Sequence, residues 1–419
     1  MPLEYPPAHR PRRPGDMSGS PGYTAAGYGR AGYGAGPPGA VPPTGNAPVP
    51  QVWAPGQRVR NRYVFQVLTS VVGALALLVA LGYIALATGL ASTSVAFVLA
   101  LVPLAIVLAG VRWLDRWEPE PLPMLVVALL WGAGVAVLTA LVLNTTAIAL
   151  IQVRTGDPSA ADALGAVVVA PVVEELVKGA GVLLIFLVRR QHLDSPVDGV
   201  VYAATVGAGF AFTENILYFS SNADLVLEVF ALRGLMSPFA HALFCACSGL
   251  ALGLAARARR RGAVLWMLPL GLVAAMALHA LWNGSALFAA NFFVVYAAVQ
   301  VPVFAAMVLL LWWLRRHEAR VIRARLSEYA QVGWFAPHEV DMLASLRLRS
   351  EAKTWATRFG DRSRRAMRTF QRDATTLALR RQKAVHGRPV PPRPTEVELL
   401  EHLVQVRGTI ARAAATRSP

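Results

Sequence analysis

Residues 167–190 read VVVAPVVEELVKGAGVLLIFLVRR, an apolar run broken midway by Glu174, Glu175 and Lys178 and closed by an arginine pair. A helix of about 20 such residues crosses the hydrocarbon core of a bilayer. A charge at that depth costs roughly 2.5 kcal/mol or more and persists only where it is used. The stretch is therefore either a buried soluble helix or a membrane span carrying charges for a purpose, and its surroundings decide. Comparable apolar runs lie near 63–88, 93–111, 122–151, 198–219, 236–256, 263–288 and 292–314, and this one is read as 163–188. Of the 419 residues, 55% are hydrophobic and 15% charged, with a mean hydropathy of +0.47. Soluble domains are roughly 45–50% apolar and mix their charges through the chain. The expected fold class is all-α: a polytopic membrane bundle of about eight transmembrane helices with a soluble helical C-terminal tail.

Three regions follow from composition. Residues 1–60 are rich in Pro, Gly and Tyr with no apolar period and read as a disordered N-terminus. Residues 61–316 hold the spans, and 317–419 form a basic, largely helical tail. Within that tail Glu318 to Phe370 reads as helix, VHGRPVPPRP interrupts, and Thr395 caps a last helix. No signal peptide opens the chain. Arg58, Arg60, Arg62, Arg112, Arg116, Arg189, Arg190, Arg257, Arg259, Arg260, Arg261, Arg315 and Arg316 all fall on one side if there are eight spans. The alternate loops carry only Arg154 and Arg233. Positive loops stay cytoplasmic, so the expectation is a multi-pass plasma- or inner-membrane protein with both termini cytoplasmic. The net charge of +16 then belongs beside the bilayer and its anionic headgroups. No nucleic-acid partner is expected, because no binding motif accompanies the charge.

Four spans carry polar groups at membrane depth: Glu174, Glu175 and Lys178 in the fourth, Glu214 and Asn215 in the fifth, His241 in the sixth, His279 and Asn283 in the seventh. Positions four apart share a helix face. Glu174 thus stacks over Lys178, His279 over Asn283, and Phe210 over Glu214. Adjacent residues diverge by roughly 100°, so Glu174 and Glu175 are expected to face different neighbours, one the cavity and the other Lys178 or an adjacent helix. With cytoplasmic termini, Glu174, Glu175, Glu214, His241 and His279 are expected to converge between the midplane and the outer surface. Isolated interhelical hydrogen bonds are the plain alternative, strongest for Asn215 and Asn283. Cys245 and Cys247 point to different sides of one helix and are read as packing residues without a disulfide. The Gly-xxx-Gly spacing of GLALG at 249–253 is read as close packing within the bundle.

Carboxylates, two histidines and an amide in a site partly shut from water suit hydrolysis. A Glu can take a proton from an attacking water, and His or Asn can donate to the oxyanion. A metal version stays open, in which His241, His279 and Glu174 hold zinc. HExxH, GxGD and GxSG are absent from the sequence. A proton-coupled transporter or channel would also use Glu and His chains, but the two halves show no paired repeats. A non-catalytic scaffold would tolerate loss of the set, and the set is intact.

The order EExxK, FxxxEN, a lone His in the next span and HxxxN resembles the PrsW family of intramembrane proteases, relatives of the CAAX prenyl endopeptidases and bacteriocin-processing enzymes. The matching segments are Glu174 to Lys178, Phe210 to Asn215, His241, and His279 to Asn283, with DRWEPEP at 115–121 as a further likeness. The similarity runs from about Asp115 to Asn283. It implies cleavage of membrane-anchored protein substrates, of the anti-sigma-factor kind, on the extracytoplasmic side. It implies Glu174 as general base and Glu175 as the partner of Lys178. His241, His279 and Asn283 would position water and hold the oxyanion. Glu214 departs from the wider prenyl-protease pattern, which has His there, and would orient a histidine or replace it. The family has been called metalloprotease, and the same residues can work without metal.

Overall fold

Long apolar runs with few helix breakers have one stable form in lipid, because every backbone N–H and C=O must be satisfied within the segment. The computed structural model accordingly shows helices and no strand among the residues it describes, which are 56–416 except 189–192, 194, 259–261, 289–290, 389 and 391. The Pro/Gly/Tyr-rich segment 1–55 lies outside them, as do Arg189, Arg190 and Arg259 to Arg261 of the charge-side argument.

The membrane part comprises α1 (Gly56–Thr88), α2 (Leu90–Leu114), α3 (Leu122–Thr155), α4 (158–188), α5 (Pro196–Ser221), the short α6 (226–236), α7 (Ala240–Arg257), α8 (Val264–Phe288) and α9 (Phe292–Gln331). Among the described residues, seven segments are long and apolar enough to cross a membrane. The acid- and lysine-bearing α4 is not among them, since its three charged residues dilute an otherwise apolar helix. The chain is a multi-pass membrane protein by these spans. Helix α5 is the hub, buried almost throughout from Pro196 to Ile216. Ser195 and Asp198 start it with a reciprocal capping box.

The hub is close-packed because small residues face it. A Cβ built on Gly199 would stand 2.0 Å from the carbonyl oxygen of Gly249, and one on Gly249 would stand 2.1 Å from that of Gly199. Gly253 packs likewise on the backbone of Ser195 and Pro196. The 249–253 pattern therefore serves packing inside the bundle. Cys245 and Cys247 are both free thiols. Among the described residues, four widened turns with π-type bonding interrupt the helices, at Trp131–Ala136, Gly165–Val169, Ala231–Met236 and Tyr296–Gln300. Such turns shift the register of the side chains beyond them.

Beyond the spans, the second half of α9 joins α10 (Pro337–Leu343), α11 (Leu346–Thr357), α12 (Asp361–Val385) and α13 (Glu396–Ala415). These helices do not lie as separate amphipathic rods. Ile322, Leu326, Leu343, Phe370, Leu377 and Leu403 form a core of their own, which Trp117 from the α2–α3 loop enters. Apolar stripes on several helices bury more surface against one another than against headgroups. Thr395 caps α13 as the sequence indicated, with Glu398 completing the box.

Candidate active site

Glu174 and Glu175 leave α4 one turn before Lys178, whose long side chain lies at i+4 from the first and i+3 from the second. Its Nζ donates to Glu174 Oε2 at 3.2 Å and to Glu175 Oε1 at 2.9 Å. The expectation that only one acid meets the lysine is thus corrected: the stem of Lys178 is long enough to bring one ammonium between both. The third acceptor is His241 Nδ1 on α7, 3.2 Å away. An ammonium has three protons, and the three acceptors use all of them. The ring of Phe210 lies beneath, 3.7 Å from Nζ, adding cation–π attraction. Lys178 is fully buried, at 0% exposure, so this satisfied geometry is what lets the charge stay in place.

The partners also assign the tautomers. Since Lys178 has only protons to offer, His241 Nδ1 accepts. The ring proton is then on Nε2, which faces Glu214 Oε2 at 2.7 Å. On α8, His279 Nδ1 lies 3.1 Å from Glu175 Oε1 and donates to that carboxylate. Its Nε2 is turned towards Glu174 Oε2 at 3.9 Å. The two imidazoles meet edge-on with centroids 5.1 Å apart, and Phe244 stacks on His279. Four helices thus deliver Glu174, Glu175, Glu214, His241 and His279 to one buried cluster.

Two residues of the cluster were missed by sequence reasoning. Arg233, from the widened turn of α6, donates to Glu214 Oε2 at 2.5 Å and to Asn215 Oδ1 at 3.0 Å, and lies over Tyr218. Its signal was an arginine standing alone in an arginine-poor loop. Asn144 of α3 donates to Glu174 Oε1 at 3.4 Å. Its Oδ1 is a buried acceptor with no partner among the described residues. Asn283 is placed differently from the acids: its Nδ2 donates to the carbonyl of Ala166 in the widened turn of α4, at 2.8 Å. Asn215 likewise serves Arg233. A cavity of about 10 Å³ beside Asn215, Arg233, Ser237 and His241 is about the size of one water.

Zinc can be tested against this arrangement. Glu174, His241 and His279 offer ligand atoms within 4.8 Å of one another. Bonds of about 2.0–2.2 Å would need them roughly 3.4 Å apart. Both nitrogens of His241 are already engaged, and the ammonium of Lys178 stands between two of the three donors. With Lys178 in place, the residues do not fit a zinc ion.

Residues 120–307 match the family model described as PrsW family intramembrane metalloprotease. This stretch of the membrane domain is similar to the PrsW family. The chain is 33% identical over 146 residues to "Protease PrsW" of Clostridioides difficile (strain 630), covering 34% of this chain and 59% of that protein. It is 34% identical over 155 residues to "Protease PrsW" of Geobacillus kaustophilus (strain HTA426), covering 36% and 63%. For "Protease PrsW" of Bacillus subtilis (strain 168) the values are 32% over 143 residues, 34% and 60%. The chain thus spans about three fifths of the length of these curated relatives. No solved structure matches it. The PrsW match contains every member of the cluster, Arg233 and Asn144 included, and begins at Glu120, near the end of DRWEPEP.

Proposed function

We propose that the chain is an intramembrane endopeptidase that hydrolyses peptide bonds of membrane-anchored proteins with a water activated by Glu174. The observation that carries this reading is the 3.9 Å gap between Glu174 Oε2 and His279 Nε2. A polar separation of that size suits a bridging water, and both flanking atoms are proton acceptors. Glu174 takes a proton as the water oxygen attacks the substrate carbonyl carbon, and the carbonyl becomes a tetrahedral oxyanion. Glu174 passes that proton to His279 Nε2, which delivers it to the departing amide nitrogen as the oxyanion collapses to the new carboxyl group and the C–N bond breaks. Glu175 orients His279 and supports its charged form, as a buried carboxylate does for an imidazole. Lys178 holds the two adjacent glutamates together, and Glu214 with Arg233 fixes His241. Three carboxylates against two fixed cations leave one surplus negative charge, the capacity a general base needs.

This chemistry derives no step from a metal, because Lys178 takes the position a cation would need. In this reading the cut lies towards the end of the bundle away from the tail, which the depth of the polar residues along their spans supports. With both termini cytoplasmic, that end is extracytoplasmic and the substrates are single-span proteins of the anti-sigma-factor kind. The test is cleavage of reconstituted single-span substrates in liposomes by the wild type and by Glu174→Gln, His241→Ala and His279→Ala. Product from the wild type and none from Glu174→Gln supports the reading. Cleavage surviving Glu174→Gln overturns the choice of base, and proton uptake without any product would move the chain to transport.

A further inference from the structure

At the tail-side end of the bundle, the last turn of α2 and the 115–121 loop face α11 and α12 across a cavity of about 1170 Å³. It shares no residue with the catalytic cluster. Among the described residues lining it, nine are Lys or Arg and two are Glu. Some of this charge is answered locally: Arg372 meets Asp373 at 3.1 Å, Arg393 meets Glu398 at 3.8 Å, and Arg112 lies near Asp115. A second group is not answered by acids. Arg349 is 6% exposed, and its hydrogen bonds go to the carbonyls of Leu343 and Gln371 and to the Thr375 hydroxyl. Its guanidinium lies 4.8 Å over the ring of Trp117. All four partners are neutral. The half-buried Lys353 has Arg368, Arg116, Arg349 and Arg364 among its charged neighbours. Burial and these like charges hold its ammonium below the usual lysine range, and burial pushes Arg349 down to about 10.

Like charges gathered beside a low-dielectric wall repel by more than they would in water. A fold that buries Arg349 and turns Lys353 towards Arg116 and Arg368 carries that repulsion as a standing cost. A multiply charged anion removes it. Guanidinium groups suit phosphate oxygens through paired hydrogen bonds, and Lys adds a point charge. The cavity is larger than one phosphate needs and falls near the upper size of small-molecule sites. Trp113 and Arg112, in the final turn of a span, set its rim at headgroup depth.

We propose that this cavity is a binding site for an anion bearing two or more phosphate groups, clamped between the α2–α3 loop and the tail domain. The phosphates belong either to a phospholipid headgroup reached past Trp113 or to a soluble phosphorylated molecule. The full chain in nanodiscs separates these. In zwitterionic lipid, sodium tripolyphosphate is titrated and binding is followed by calorimetry and thermal unfolding. In discs containing phosphatidylglycerol and cardiolipin, native mass spectrometry reads the lipid retained. The double variant Lys353→Glu with Arg368→Glu is compared with Arg347→Glu and Arg362→Glu, which makes the same charge change at exposed positions off the cavity. The site predicts saturable binding in at least one arm, weakened about tenfold or more by the cavity pair and unchanged by the control pair. Tripolyphosphate binding assigns the soluble source, and selective lipid retention assigns the headgroup. If the double variant does not fold, Arg116→Gln replaces it with the same expectation. Absence of saturable binding in both arms, or equal loss in both variants, overturns the proposal.

Discussion

The ammonium of Lys178 lies 3.2 Å from Nδ1 of His241, and this contact ties the acid pair of one helix to the imidazole of another. Through His241 Nε2 the link continues to Glu214 and Arg233. A proton moved at any member changes the electrostatic field at every other. Replacing Lys178 with Met leaves buried carboxylates unmatched, and breaking a buried pair this way costs about 3–5 kcal/mol. The expected result is loss of cleavage with a lower unfolding temperature in detergent. Glu174→Gln should lose cleavage while unfolding near the wild-type temperature. The pair of measurements separates the holder of the charge from the user of it.

Chelation provides a second check. Because the Lys178 ammonium stands among the donors, cleavage by purified protein is expected to persist after prolonged treatment with EDTA or phenanthroline. Loss of activity that zinc restores would show that Lys178 moves aside for a metal.

Arg233 should behave as a positioning residue. Arg233→Gln removes the cation that shares Glu214 Oε2 with His241. The expected effect is a kcat lowered about tenfold to a hundredfold with KM little changed. The pH profile should be displaced, which a purely structural loss would not produce. Arg233→Lys should restore part of the rate, since one charge returns without the second contact to Asn215.

The tail-side loop carries the pH dependence of stability. Burial pushes Asp115 up to about 6, against the lowering influence of the Glu120 amide and Arg112. Burial and the nearby Asp198 push Glu120 up to about 9. Both groups hold a proton more tightly folded than unfolded, so their contribution is full at acid pH, below the unfolded values. It falls as pH rises, through about 6 for Asp115 and about 9 for Glu120. Thermal unfolding temperature should therefore drop from about pH 4 to about pH 9, most steeply below pH 6, where both groups contribute. Glu120→Gln keeps a neutral partner for Tyr202, whose hydroxyl lies 2.5 Å from Glu120 Oε2, and should flatten that slope.

Gly199→Ala tests the packing of the hub. The added methyl would meet the Gly249 carbonyl at 2.0 Å, and overpacking of this kind costs about 1–3 kcal/mol. A reduced unfolding temperature is expected, whereas Gly82→Ala, with nothing within 4 Å, should leave it unchanged.

The membrane helices were legible because a span needs a long apolar run and little else. Glu174, Lys178, His241 and His279 were legible for the converse reason: each interrupts such a run. Arg233 and Asn144 were not. Arg233 sits in a segment that sequence assigns to a loop, and only the widened turn of α6 aims it inward. Asn144 is an amide beside two threonines, with no spacing to connect it to a helix thirty residues on. Asn283 was legible as polar but not as the partner of Ala166, because that carbonyl lies in a widened turn that no periodicity announces. The tail core was hidden because its apolar stripes read the same whether they meet lipid or one another.

The backbone-to-backbone seam between Gly199 and Gly249 bears on access. Hinged doors in proteins swing on side chains that can rotate out of the way, and this seam has none to rotate. On the proposed protease reading, a polypeptide threading sideways from the lipid towards Glu174 would pass between other helices, with the α5–α7 wall as the fixed jamb against which such an opening works.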